Sequence, residues 1–156
     1  MLNFEIVKSS DHPLVPTARE LFQEYAEELG VDLCFQGFSD ELADLPGKYG
    51  PPRGLLFVVL DDKTPIACGA LRELDDKTCE LKRIYVRPTH RAAGLGRRIT
   101  VDLMERAREF GYTVVRLDTL RRLTPALRLY ESLSFQETAP YNFNPEPDIV
   151  YYERAL

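Results

Sequence analysis

The sequence has few of the residues and runs that several classes of protein require. Its 156 residues include three cysteines, Cys34, Cys68 and Cys79, an odd number without zinc-site spacing, which indicates reduced thiols in a cytosol. The two histidines, His12 and His90, show no sequence relation to those cysteines, so a cysteine nucleophile is not favoured. No apolar run approaches the about 20 residues of a membrane-spanning helix, and the N-terminus lacks a signal-peptide pattern. We therefore expect a cytoplasmic protein with no metal ion and no membrane partner.

Positive charge is also scarce relative to negative charge. The chain has 20 Lys and Arg against 25 Asp and Glu, a formal net charge of -5. Nucleic-acid binders depend on neutralising phosphates, so this balance argues against a nucleic-acid partner, while it suits a cationic or amine-bearing substrate. The 44% hydrophobic and 29% charged content is that of a globular protein. Because no repeat, low-complexity tract or linker interrupts the chain, we expect a single domain over residues 1–156.

The order of the predicted elements indicates an α+β protein. The segment "LNFEIVK" alternates as a strand does, and residues 14–29 show helical spacing of apolar residues before Gly30. The turns "DDKTP" and "DDKT" join three further strands into an antiparallel meander. A helix over residues 94–110 leads to "TVVRLDTL", which we expect to lie parallel to "CELKRIYVR". A helix over residues 124–133 and two final strands complete a mixed, largely antiparallel sheet with helices packed on it.

The stretch "RAAGLGRR", residues 91–98, joins a strand to a helix and is suited to hold an anion. The first N–H groups of a helix have no carbonyl partners and form a positive concavity. Gly94 and Gly96 allow close backbone approach, and Arg91, Arg97 and Arg98 add forked donors for phosphate oxygens. A Walker loop needs Gly-Lys-Ser/Thr, and a dinucleotide fingerprint needs a third glycine three residues after Gly96, so both are excluded. The alternative is that the glycines only shape a tight turn.

This motif and its surroundings resemble the GNAT superfamily of acyl-CoA N-acetyltransferases. The family's central motif is Q/R-x-x-G-x-G/A, and Arg91 to Gly96 match it after a strand that ends in Val86, Arg87 and Pro88. Further on, "ALRLYESLSF" resembles the family's A-x-x-L-Y-x-x-x-G-F. The resemblance implies a three-layer α/β/α fold, with a twisted, largely antiparallel sheet of about six or seven strands flanked by about four helices. It also implies that the glycine turn binds the pyrophosphate of acetyl-CoA.

The resemblance carries a set of coenzyme-binding residues onto this chain. In relatives the strand before the turn splays from its parallel neighbour, which leaves main-chain groups free for the pantetheine and the acyl oxygen. The residues expected to bind acetyl-CoA are Ile84, Tyr85, Val86, Arg91, Ala92, Ala93, Gly94, Leu95, Gly96, Arg97, Arg98 and Tyr130. Two positions depart from the family pattern. Leu123 stands where an asparagine often contacts the pantetheine arm, and Ser134 replaces the glycine before the last phenylalanine of the motif.

The resemblance also implies catalytic roles for Tyr130 and Glu80. Tyr130 matches the family tyrosine that lies by the coenzyme sulfur and protonates the departing thiolate; the other interpretation is a core tyrosine of an amphipathic helix. Glu80 lies where several relatives carry a catalytic glutamate, and a water relay is the alternative base. Strict alternation would place Glu80, Lys82, Ile84 and Val86 on one face of the strand. Lys82 would then be placed to hold Glu80 in an ordinary ion pair.

Several other polar and aromatic residues lie in segments that usually form the acceptor pocket or flank the turn. For each, turn formation, packing or solvation explains the residue as well as a contact with substrate or phosphate does. These residues are Tyr25, His90, Asp118, Thr119, Tyr141, Asn142 and Asn144.

The sequence as a whole predicts an N-acetyltransferase that transfers the acetyl group of acetyl-CoA directly to a primary amine of a small molecule. An amino acid, a polyamine or a xenobiotic amine would serve as acceptor. One alternative is a protein acetyltransferase for lysine or an N-terminus, which would need an open groove. Another is a non-catalytic acyl-CoA-binding domain, for which Tyr130 would be unneeded. Because relatives are often dimers, a homodimer is also expected.

Overall fold

Within residues 1–156, which the computed structural model describes apart from the side chain of Phe35, seven strands form one sheet in the order β1-β2-β3-β4-β5-β7-β6. The strands are β1 Leu2–Ile6, β2 Leu55–Asp61, β3 Thr64–Glu73, β4 Thr78–Val86, β5 Val114–Leu120, β6 Gln136–Thr138 and β7 Ile149–Ala155. The α-helices are α1 Val15–Leu29, α2 Phe38–Ala43, α3 Leu95–Glu109 and α4 Thr124–Ser132. Short 3-10 helices cover Cys34–Gln36, Gly47–Tyr49 and Pro88–His90. None of the described helices is long and apolar enough to cross a membrane.

The sheet is mixed and largely antiparallel, as predicted. Strands β4 and β5 run parallel, because α3 connects them, and the other neighbouring strands described are antiparallel. The parallel pairing is short, since it joins residues 78–80 to residues 114–116 and goes no further. Beyond these residues the two strands separate near the middle of the sheet.

Helices cover both faces of the sheet, which confirms the three-layer prediction. On one face, α3 buries Ile99, Leu103 and Ala107 against the sheet at the helical spacing of its apolar residues. Gly69 on β3 allows this close packing, because a Cβ at this position would lie 2.8 Å from Ile99 Cγ2. On the other face, α1 packs through a separate core that includes Phe22.

Strand β4 contains a bulge that the alternating sequence pattern does not reveal. Cys68 on β3 pairs with Tyr85 and Ala70 pairs with Lys82, so two residues of β4 oppose one residue of β3. The bulged residue Arg83 has a φ of 58°, in the left-handed region. Its carbonyl oxygen accepts a hydrogen bond from Cys68 Sγ at 3.3 Å.

The bulge changes which side chains share a face of β4. Glu80 and Lys82 lie on the α1 side of the sheet, whereas Ile84 and Val86 pack with the core beneath α3. The expectation that all four share one face is therefore wrong. One extra residue in a strand moves every following side chain to the opposite face, because side chains alternate with a period of two.

Candidate active site

The glycine turn between β4 and α3 presents free backbone donors to solvent. Ala92 and Gly94 have positive φ values of 66° and 75°, and residues 91–94 are exposed. The N–H of Arg98 bonds to the carbonyl of Gly94 at 3.1 Å, so the N–H groups of residues 95–97 precede the first helical hydrogen bond. No described atom lies within 4 Å of a Cβ built on Gly94. The turn thus has both the donors and the open space that a bulky anion needs.

The three arginines of the turn extend in different directions. Arg91 donates to the Val86 carbonyl at 2.8 Å and to Glu28 at 2.5 Å, which ties the turn to β4 and α1. Arg97 donates to Ser132 Oγ at 2.9 Å, toward α4. Arg98 lies over the ring of Phe4 on the edge strand β1, 4.7 Å from its centroid. Arg91 and Arg97 therefore flank the turn, and Arg98 lies toward the edge of the sheet.

A cleft passes between β4 and β5 where the strands separate. Its cavity volume is about 110 Å³, and its walls come from α1, the segment after it, both strands, α4 and the loop before β7. Beyond Glu80, the backbone edge of β4 that faces β5 makes no ladder pair with β5 in the described chain. Ile84 lines the cleft, so this unpaired edge is accessible from it. Tyr85 directs its side chain to α1, where its hydroxyl donates to Glu24 at 3.2 Å.

Tyr130 on α4 lines this cleft from the side of α3 and α4. Its ring packs against Phe135 and Tyr152, with centroids 5.7 Å and 6.4 Å away, and the residue is only 9% exposed. Burial raises the pKa of Tyr130, so the phenol keeps its proton at neutral pH. In the part of the chain that the structure describes, its hydroxyl makes no hydrogen bond. The hydroxyl is thus a neutral donor without a protein acceptor.

Charged side chains line the cleft from the opposite face of the sheet. Lys82 on β4 and Asp118 on β5 each lie two residues beyond the last pair of the parallel ladder. Asp118 accepts a hydrogen bond from Asn142 at 3.4 Å, and Tyr25 lines the cleft on this side, with Asn144 in the loop before β7. Thr119 also lines the cleft, but it pairs with Val150 of the core beneath α3 and so lies on the opposite face of β5. The cleft therefore joins Tyr130 on one face of the sheet to the carboxylate of Asp118 and the ammonium of Lys82 on the other.

Glu80 is buried beneath the cleft rather than exposed in it. The side chain has no exposed surface, Arg72 donates to Oε1 at 2.9 Å, and the Tyr141 hydroxyl donates to Oε2 at 2.6 Å. Burial raises the pKa of Glu80, but the charges of Lys82 and Arg72 and the two hydrogen bonds outweigh burial and hold it below its usual value. Glu80 is not among the described residues that line the cleft. Its ion-pair partner is Arg72, not Lys82 as the alternation suggested.

A second buried ion pair fixes the bulge and was missed from the sequence. Arg83, 2% exposed, donates from Nε and Nη2 to the two oxygens of Glu41 at 2.9 and 3.0 Å. Its Nη2 also donates to Gln36 Oε1 at 2.9 Å. The arginine attaches α2 and the segment before it to the strand beside the cleft. The available signal was an arginine within a buried strand, which requires a counter-charge.

His90 lies apart from this arrangement. His90 Nε2 lies 3.0 Å from Asp61 Oδ2 on β2, so its ring contacts a carboxylate beside the turn. Among the described residues, no group of three or more His, Cys, Asp or Glu side chains is placed to hold a metal ion.

An exposed glycine turn with free N–H groups, next to a cleft lined by a buried tyrosine, fits an acyl-CoA-dependent acyltransferase, and comparisons with known proteins show that class. The model described as "Acetyltransferase (GNAT) family" matches residues 16–135. An uncharacterized N-acetyltransferase of Schizosaccharomyces pombe is 44% identical over 133 residues, 84% of this chain and 82% of that protein. The chain belongs to the GNAT family and is an acetyl-CoA-dependent acyltransferase.

Solved structures show the same fold. An acetyltransferase from Streptococcus agalactiae superposes with a TM-score of 0.79 at 23% identity, covering 98% of each chain. A GNAT family acetyltransferase from Elizabethkingia anophelis with acetyl-CoA bound has a TM-score of 0.71 at 20% identity, covering 99% of this chain and 98% of that one. The predicted GNAT-like fold is therefore confirmed.

Proposed function

We propose that this N-acetyltransferase acetylates the primary amine of a small molecule by direct transfer from acetyl-CoA. The observation that carries the proposal is the small cleft, whose walls come from two strands, two helices and two loops. A walled cleft of about 110 Å³ suits a small acceptor better than a folded protein or an extended peptide. Asp118 in its lining suits a protonated amine.

The residues present fit the coenzyme on the α3 side of the sheet. The free N–H groups at residues 94–97 would bind the pyrophosphate, with Arg97 and Arg91 beside them. The unpaired edge of β4 at residues 84–86 would bind the pantetheine arm and the acyl oxygen. Acetyl-CoA supplies the activated acyl group as a thioester. Leu123 also lines the cleft, so an apolar side chain meets the arm where relatives often have an asparagine.

Tyr130 is the residue that we propose as general acid. The acceptor nitrogen forms a C–N bond with the acyl carbon, and the C–S bond of the thioester breaks. The CoA thiolate that leaves must gain a proton, and the neutral Tyr130 hydroxyl is a suitable donor. The acceptor must also lose a proton to become nucleophilic. The expectation that Glu80 is the base stays a prediction, against which its occupied oxygens and lowered pKa weigh. Those two features favour a water relay as the route by which the acceptor amine loses its proton. Glu80 would then hold Tyr141, and with it the loop before β7, in position.

The test is to compare Tyr130→Phe with wild type in an assay of CoA release over a panel of small amines. We expect acetyl-CoA affinity to be unchanged and turnover to fall by on the order of 10²-fold, because phenylalanine keeps the packing and removes the donor. Tyr152→Phe is the matched control: its ring is a neighbour in the same core, but its hydroxyl bonds to Glu131 at 3.1 Å. If Tyr130→Phe turned over as fast as wild type, Tyr130 would not be the general acid. Acetyl-CoA binding without acetylation of any amine would favour a binding domain.

A further inference from the structure

We propose that the acceptor carries an anionic group beside its amine, such as a carboxylate or a phosphate, and that Lys82 binds this group. The proposal rests on the small-molecule function above and names the class of its substrate. Lys82 is a buried cation that faces the acceptor side of the cleft.

The ammonium of Lys82 forms no direct salt bridge with a described carboxylate, although the more distant charges of Glu80 and Asp118 partly offset the lowering of its pKa by burial. The residue is 8% exposed, and its Nζ donates to Gln36 Oε1 at 3.0 Å. That oxygen also accepts from Arg83, so the amide is shared between two cations. Among the described residues, no carboxylate oxygen lies within 4.0 Å of Lys82 Nζ. Since an ammonium has three donors, part of its hydrogen-bonding capacity remains for a group in the cleft.

Three carboxylates around Lys82 and the cleft already pair with arginines. Glu41 pairs with Arg83 and with Lys48, the latter at 3.3 Å. Glu80 accepts from Arg72 and Tyr141, as described above. On the far side of the cleft, Glu146 lies 3.9 Å from Arg122. A close ion-pair partner for Lys82 is thus left to a group that enters the cleft, since a buried charge without one is costly.

Asp118 complements Lys82 across the gap between the strands. The two residues occupy equivalent places on parallel strands, so a cation and an anion face the same small cavity. A molecule with an ammonium and an acidic group would match both, with its amine toward Asp118 and Tyr130 and its acidic group at Lys82. Burial lowers the pKa of Lys82, while the charges of Glu80 and Asp118 raise it only in part, which agrees with a cation whose counter-charge is incomplete.

The same geometry admits a rival role, in which Lys82 is neutral and accepts the proton of the acceptor amine. An arginine in place of Lys82 could perform only one of the two roles. Arginine stays protonated and binds carboxylate or phosphate, but it does not serve as a base at neutral pH. Lys82→Arg therefore separates anion binding from proton transfer, whereas Lys82→Met removes both.

The experiment measures kcat/KM with matched acceptors: leucine against leucinamide and isopentylamine, phenylalanine against phenylalaninamide and phenethylamine, and phosphoethanolamine against ethanolamine. We expect the anionic member of at least one set to be preferred by about tenfold or more, mainly through KM. Lys82→Met should abolish the preference, and Lys82→Arg should retain it. Lys48→Met, which removes a lysine from the same charge cluster but not from the cleft, should keep it.

The outcomes separate this inference from the function on which it rests. Equal use of neutral and anionic amines would overturn the role of Lys82 and leave the small-molecule function intact. Two results together would instead assign Lys82 as the base. Lys82→Arg would be inactive, and Lys82→Met would lose the acidic limb of the pH profile of kcat/KM. If none of these amines or other small amines is acetylated while a lysine peptide is, the proposed function fails and this inference fails with it.

Discussion

Replacing Gly94 with glutamate should abolish the thermal stabilisation that acetyl-CoA gives to the wild-type protein. Gly94 has a φ of 75°, lies at the start of α3, and faces open space where a Cβ would meet no described atom within 4 Å. The added side chain would occupy the place of the pyrophosphate. Its carboxylate would also bind the free N–H groups of the turn, which favour negative charge. Pyrophosphate would then face both a steric block and a like charge.

The size of the effect follows from ligand linkage. At a hundred times the dissociation constant, acetyl-CoA should stabilise wild type by about 2.7 kcal/mol. For a protein of this size, one kcal/mol shifts the thermal midpoint by about 2–4 °C, so the expected rise is roughly 5–11 °C. A hundredfold loss of affinity in Gly94→Glu would reduce the gain to about 0.4 kcal/mol, which is roughly 1–2 °C.

The assay is the thermal midpoint with and without saturating acetyl-CoA. The left-handed conformation at Gly94 means that glutamate also destabilises the unliganded protein, by about 1–2 kcal/mol. Gly111→Glu is the matched control, because Gly111 has a φ of 91° at the other end of α3 and is equally exposed. It should lose similar stability and keep the full ligand shift. An unshifted wild type, or a Gly94→Glu variant that shifts like wild type, would show that the turn does not hold the coenzyme.

Two further predictions concern the fold around the site. Glu80→Gln should destabilise the protein by about 3 kcal/mol at pH 7, because it leaves Arg72 without its buried counter-charge. Because the folded-state pKa of Glu80 is lowered, its stabilisation is present above the unfolded pKa and is lost as pH falls through the folded pKa. In urea unfolding, the difference in unfolding free energy between wild type and Glu80→Gln should therefore narrow below about pH 4.5. A difference that stays constant with pH would contradict this. Gly69→Ala should cost about 1–3 kcal/mol in the same assay, because its Cβ would lie 2.8 Å from Ile99 Cγ2. Gly96→Ala, whose Cβ would meet its nearest neighbour at 3.8 Å, should be neutral, and equal stability of the two variants would refute the packing argument.

The exposed glycine turn and the order of elements were predictable from the sequence because both depend on neighbours in the chain. A strand that ends in proline, two glycines and a following amphipathic helix determine the free N–H groups locally. Apolar periodicity likewise predicted α1 and α3, Thr124 and Pro125 predicted the start of α4, and the short turns predicted the meander of β2, β3 and β4. Tyr130 was identified by its helix motif, and the structure places it in the cleft.

The acceptor side could not be predicted in the same way, because it depends on contacts between distant segments. The bulge at Arg83 arises opposite Gly69 and is accompanied by an ion pair with Glu41, 42 residues earlier in the chain. This one inserted residue separates the faces on which Glu80 and Ile84 lie. The alternating pattern carries no sign of such an insertion, so it predicted the wrong face for the second half of β4.

The sequence by itself determined where the backbone leaves free N–H donors, since these follow from local geometry at the start of a helix. Only the tertiary structure decided which charges remain unpaired. Glu80 looked like a base in the sequence, yet Arg72 and Tyr141 occupy its oxygens, while Lys82 looked like its partner and instead faces the cleft. Pairing of buried charges depends on distances across the sheet and between loops, and those distances exist only once the chain has folded.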